Sequence, residues 1–368
     1  IIPNNFFQNT NLPIKREMRI RFYIAILPIL LICSCKKESG TVKETVLFTK
    51  DNFKQTTSLK GEILNIDTLW KPIRIWVCDS SLVSVDMYCD YFAQIYDKKN
   101  GRKTTENIPR GIGPGELLNC WSLQFYPDRV WAFDMQQAKM EAYSIPDFLK
   151  RKHISPIQSV KFKNGAPTSV AVLPDGSFLC SDLSDSNNLV TRFDASGNKD
   201  NQLQTKFPEV STNNIPDNLK KRFWENRIYY NPHNDKIIIF YTYSDLIEIY
   251  NSDMQLIQRI QGPDNFIPVL GNRKVDDHDF AYIIPEQTKF SYLFGVLTDS
   301  EIWALYYGIS PQKGEEMQRT LFVFDYQGTP LQHYELDTPI TFFSVDPVEK
   351  CIYGLSEQPD PVIIRFQY

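Results

Sequence analysis

Histidine is scarce in this sequence, with four in 368 residues, and the acidic cluster at 276–279, with one of them, lacks the further histidine or cysteine that zinc favours. The seven cysteines, Cys33, Cys35, Cys78, Cys89, Cys120, Cys180 and Cys351, include no C-x-x-C pair, which excludes the common structural-zinc and dithiol motifs. Cys78 and Cys89 are close along the chain. A hairpin turning near Ser80 would set one beside the turn and the other at the far end, so a disulfide between them is excluded on geometry. The cysteines after Cys35 then read as small buried hydrophobes on strands. Sequences of the G-x-S-x-G, H-E-x-x-H and Walker types are absent, and with them the hydrolases, peptidases and nucleotidases those motifs mark. An excess of positive charge is also lacking. The formal net charge is −4, and residues 1–34 hold Lys15, Arg16, Arg19 and Arg21 against Glu17, which leaves −7 on the remainder. A body of that sign has no footprint for nucleic acid.

Aromatic residues are abundant, with 24 Phe and 19 Tyr, a composition that favours strands. Residues 168–197 show the unit they build. An apolar run (TSVAV) turns at Leu173-Pro174-Asp175-Gly176, an alternating run (SFLCSDL) follows, and a third run ends at Arg192-Phe193-Asp194. Pro-Asp-Gly is a turn signal and period-two alternation a strand signal, so this is a three-strand meander. The first two strands and their turn recur six times, at residues 73–88, 121–136, 168–183, 226–243, 291–308 and 340–357. A third strand follows each, at 92–97, 139–144, 190–194, 246–251, 321–325 and 362–368. All carry Tyr or Phe followed by a polar residue at the same place. A fourth strand follows five of them, for example 256–261 and 331–336, while the sixth unit stops at Tyr368.

The missing strand is expected at 62–69 (EILNIDTL), an alternating segment ahead of the first unit with no partner of its own. Joining it to 362–368 closes a ring and removes the exposed sheet edges. The fold expected is all-β: a six-bladed β-propeller over residues 59–368, closed by an N-terminal strand in the last blade, and monomeric. In this region the chain resembles the TolB-like six-bladed propeller lipoproteins. The most specific local piece is Gly111-Ile112-Gly113-Pro114-Gly115-Glu116, similar to that family's Gly-Pro-Gly-Glu segment between the first two blades. The resemblance implies the fold and an envelope location, and supplies no agreed catalytic residues.

The N-terminus points to the same compartment. Residues 1–17 precede Met18 and read as an extension of the gene model. A basic n-region begins at Met18, and residues 22–32 form an apolar run of eleven, too short for a membrane helix and suited to a signal h-region. Ile32-Cys33-Ser34-Cys35 resembles a bacterial lipobox. It implies a signal peptide over 18–34, lipidation of Cys35 and a membrane contact through that lipid. Residues 35–58 are polar, rich in Lys and Thr, and expected to be a tether.

Long loops on a rigid scaffold are the default place for a site. They fall at 110–120, 207–225, 262–289 and 309–319, which in a propeller share one face. Six residues on that face are the expected ligand contacts: Arg110, Glu116, Arg222, Trp224 and Arg273 on the loops, and Arg227 near the start of an innermost strand, facing the channel mouth. Their cations and aromatics would suit an anionic or carbohydrate ligand, or an envelope protein. Residues 220–227 (KKRFWENR) equally suit a short amphipathic helix capping the fourth blade. Gly111 to Glu116 lacks the G-x-G-x-x-G spacing and reads as a tight turn. The acidic cluster 276–279 (DDHD) alternates sides on an extended chain, so it reads as a solvated loop. A calcium ion on Asp276 and backbone oxygens is the only cofactor it suggests. Two functions follow. The first is a lipid-anchored, non-enzymatic binding or scaffold propeller in a Gram-negative envelope, at the outer membrane. The second is a metal-dependent, lactonase-like hydrolase or lyase, which would need convergent carboxylates and amides at the central channel.

Overall fold

The structure, a computed structural model, describes residues 45–209, 215–275, 278–310, 318–357 and 360–368. Cys35, the signal segment and Asp276 lie outside the described residues. Each of the six repeats forms one antiparallel sheet, with its first strand innermost. Blade 1 is Pro72–Cys78, Ser81–Asp86, Tyr91–Asp97 and Lys103–Pro109. Blade 2 is Cys120–Phe125, Arg129–Asp134, Lys139–Ser144 and Gln158–Lys161. Blade 3 is Pro167–Val172, Phe178–Asp182, Thr191–Phe193 and the short Lys199–Asp200. Blade 4 is Asn226–Asn231, Lys236–Tyr241, Leu246–Asn251 and Leu256–Gln261. Blade 5 is Phe290–Leu297, Glu301–Ile309, Gln318–Asp325 and Pro330–Ile340. Blade 6 is Phe342–Asp346, Cys351–Ser356 and Val362–Gln367, completed by Gly61–Ile63.

That last strand closes the ring as expected, but it is shorter than 62–69. Gly61, Glu62 and Ile63 pair antiparallel with Phe366, Arg365 and Ile364, and Arg365 meets the Glu62 carboxylate at 2.7 Å. Beyond Leu64 the chain turns away. The Asp67 carboxylate accepts from the Lys103 amide at 2.9 Å, which directs it onto blade 1.

A tether over 35–58 is not what the described part of that segment forms. Val46–Leu47 adds a parallel strand to the edge of blade 4, and Thr56–Leu59 adds one to blade 5. Between them Phe48 and Phe53 are buried, packed on Phe322 at centroid distances of 5.3 and 5.2 Å. The outer edges of blades 4 and 5 would otherwise present unpaired backbone groups, and this strap covers both.

Buried aspartates tie the blades to the loops that precede them. Asp86 accepts from the amides of Trp70 and Lys71, Asp134 from Leu118 and Asn119, and Asp182 from Ala166. Each ends the second strand of its blade and each is fully buried. Asp245, just past the second strand of blade 4, instead ties its blade to the loop that follows it, accepting from the amides of Asp264 and Phe266. Hydrogen bonds also stitch all six junctions between blades. Arg74 Nε donates to the Trp121 carbonyl (2.6 Å), Gln124 Nε2 to Val170 (2.8 Å), and the Ile228 amide to Ser169 Oγ (3.0 Å). The Gly295 amide donates to Tyr229 Oη (3.4 Å), Tyr307 Oη to Thr341 (3.1 Å), and the Val77 amide to Ser344 Oγ (3.0 Å).

Candidate functional site

Each innermost strand turns one face to the ring axis, and together the six leave a central cavity of about 290 Å³. Every blade contributes: Arg74 from blade 1, Trp121 from blade 2, Ser169 from blade 3, Arg227 from blade 4, Phe294 from blade 5 and Phe342 from blade 6. The remaining wall is largely aromatic and aliphatic, including Trp76, Phe125, Tyr230 and Val345. The only charged side chains on it are Arg74 and Arg227; no Asp or Glu lines it among the described residues. Both arginines stand near the starts of their strands, and hence at the same mouth. Blades 1 and 4 face each other across a ring of six.

Arg74 is 4% exposed and pairs with no carboxylate among the described residues. Its guanidinium lies against three rings, at 4.3 Å from Phe294, 4.7 Å from Trp121 and 5.2 Å from Phe342. Burial pushes it down to about 10, and the charge of Arg227 acts in the same direction. It is therefore cationic at neutral pH. Arg227 is partly buried. Its Nη1 donates to the Asn226 carbonyl at 3.2 Å, Nη2 stands 3.9 Å from Glu225, and its buried Nε has no partner among the described residues.

Of the six residues expected at the site, only Arg227 lines this cavity. Trp224 corrects the expectation most directly. It is 1% exposed, packed edge-on against Phe223 and Tyr241, and cannot present a ring to a ligand. A short helix forms at Asp217–Phe223, so the alternative reading of 220–227 holds only for 220–223, while Asn226 and Arg227 begin the innermost strand of blade 4. Lys221 is buried on the helix, donating to the Leu189 carbonyl, and desolvation pushes it down to about 8. Arg222 is exposed on the same helix. Glu116 closes its own turn, its carboxylate accepting from the Gly113 amide at 2.9 Å. A Cβ on Gly111 would stand 1.9 Å from that carboxylate, so a side chain there would push Glu116 out of the turn. Arg110 donates to the Met87 carbonyl at 2.6 Å and stacks on Phe92, holding a loop. Arg273 is exposed on a hairpin, Leu270–Val275 with His278–Ile283, built from the 262–289 loop.

Sequence reasoning missed Arg74. Its signal is an arginine inside an otherwise apolar innermost strand, Pro72-Ile73-Arg74-Ile75-Trp76-Val77. A charge facing the axis is unusual unless something there requires it.

The TolB-like 6-blade propeller-like family model matches residues 48–348. A Bacteroides fragilis protein described as exported aligns at TM-score 0.55 and 14% identity, over 88% of this chain and 98% of its own. A member of the DUF4221 family from Bacteroides vulgatus aligns at TM-score 0.50 and 8% identity, over 85% of this chain and 97% of its own. At these identities the likeness is one of fold. No curated protein matches the chain.

Proposed function

The chain belongs to the TolB-like 6-blade propeller-like family, and from that premise we propose that it is a lipid-anchored binding propeller of the bacterial envelope. Its lipid is on Cys35, and it receives a small ligand in the central channel rather than on the loop surface. The observation that carries this reading is the cavity itself. It is concave, mostly apolar and set with a few polar groups, the usual character of a ligand site. A lactonase-like metal centre would need carboxylates where the wall has Arg74 and Arg227. The Bacteroides fragilis neighbour, described as exported, agrees with the envelope location.

Two measurements test it. The native protein should be recovered with membranes and carry acyl mass at Cys35, while Cys35→Ala should be soluble or uncleaved, because the acyl chains supply the affinity. Native mass spectrometry of protein taken from its own envelopes should show a bound small molecule that is lost in Ser122→Trp, which fills the cavity. A ligand retained by that variant would move the site to the loops.

A further inference from the structure

We propose that the channel site is specific for small organic anions, carboxylates or phosphonates with a compact apolar or aromatic body, held between Arg74 and Arg227. This rests on the channel being the binding site and adds the chemistry of what enters it. The charge balance of the wall is the first reason. A buried cation without a counter-ion is costly, and proteins pair such groups or pay with stability. Arg74 is 4% exposed, and the three rings around it offset part of that cost. A ring cage leaves the edge of the guanidinium free. Among the described residues its Nε alone has a hydrogen-bond partner, the Trp121 carbonyl, so the terminal nitrogens remain to receive an acceptor. Arg227 adds a second cation and a buried donor, Nε, with no partner among the described residues. A planar fork is matched by an anion with two oxygens.

The surroundings give the second reason. The body carries −7 outside residues 1–34, so carboxylates were plentiful, yet none lines the cavity among the described residues. The same absence makes the channel the place where an anion is attracted rather than repelled. Beyond the arginines the wall sets Trp76, Phe125, Val296 and Val345 beside the neutral polar Ser122 and Gln124, which suits an anion that carries an apolar body better than a fully hydrated inorganic ion. The volume of about 290 Å³ lies just under the usual span of ligand sites, roughly 300–1,000 Å³, and suits a compact molecule.

The test is a titration of the full chain in neutral detergent, followed by calorimetry and tryptophan fluorescence, with four probes. Benzoate and phenylphosphonate should bind. Benzamide, of the same shape without charge, and inorganic phosphate, charged without a body, should each bind at least tenfold more weakly. Arg227→Gln should weaken both organic anions tenfold or more and leave benzamide unchanged. Arg74→Gln should do the same; if it does not fold, Arg227→Gln and Arg227→Lys decide, the lysine recovering part of the affinity. Equal affinity for benzoate and benzamide, anion binding unchanged in Arg227→Gln, or no binding by any probe would overturn the proposal. Phosphate binding as tightly as phenylphosphonate would overturn the apolar body. Equal benzoate and benzamide binding that Ser122→Trp abolishes would discard the anion while keeping the channel as the site.

Discussion

At the residue scale, the distinction between a loop cation and a buried one decides which side chains matter. Sequence reading groups Trp224 with Arg227 as accessible ligand contacts, where replacement by alanine costs little stability. The burial of Trp224 reverses that expectation. Removing a buried indole costs about 3–5 kcal/mol, so Trp224→Ala should shift the urea midpoint strongly, while Arg227→Gln should leave it nearly unchanged. A Trp224→Ala protein as stable as the native one would mean that the helix Asp217–Phe223 and its cluster carry little stability. The buried aspartates are the second lesson at this scale. Asp134 accepts from Leu118, Asn119 and Gln137 amides, and replacement by alanine strands those donors in the interior. Asp134→Ala should cost about 1–3 kcal/mol, read as a loss of midpoint at constant slope in urea. Asp86, Asp134 and Asp182 are evenly spaced in the sequence, so this pattern was legible there. Their role was not, because an aspartate at a strand end reads equally as a turn residue.

Among the elements, the strap from Val46 to Leu59 is the least expected from the sequence. Its strands are two and four residues long, too short for period-two alternation to register. Polar composition therefore made it look like a tether. One contact gives it a pH dependence. Thr56 Oγ1 lies 2.8 Å from His333 Nδ1, and His333 Nε2 lies 2.9 Å from the Glu335 carboxylate. Hydrogen bonding from His333, then from Thr320, with the charge of Lys50, pulls Glu335 from its ordinary 4.5 down to about 2. A carboxylate lowered in the fold contributes stability above its unfolded value and loses it as pH falls toward the folded one. The strap should therefore be held fully above pH 4.5 and loosen between 4.5 and 2, seen as faster amide exchange at residues 46–59. Glu335→Gln should already be loose at neutral pH and flat across that window. A native strap whose exchange protection does not change over the same range would sink this assignment.

For the whole molecule, closure is the property that makes six sheets one folding unit. A chain starting at Lys60 lacks the strap, and one starting at Trp70 lacks the closing strand as well. The second should melt at least about 5 °C below the first, since opening the ring exposes two edges and each kcal/mol is worth a few degrees at this size. Equal melting temperatures would show that the pairing of Gly61–Ile63 with Val362–Gln367 adds nothing. The sequence by itself determined the blades. Local turn chemistry and alternation repeat in each, and a sixth unit short of a strand implies that the strand comes from elsewhere. Only the tertiary structure decided the site. Arg227 was among the expected contacts and Arg74 interrupts an apolar strand, but the two are far apart along the chain and nothing local joins them. Whether a side chain on a strand faces the axis, a neighbouring blade or solvent depends on how six sheets are arranged around one channel, which no local pattern records. The same holds for Trp224: a tryptophan among cations on a loop has one appearance in sequence, and the packing of Phe223 and Tyr241 around it made it core.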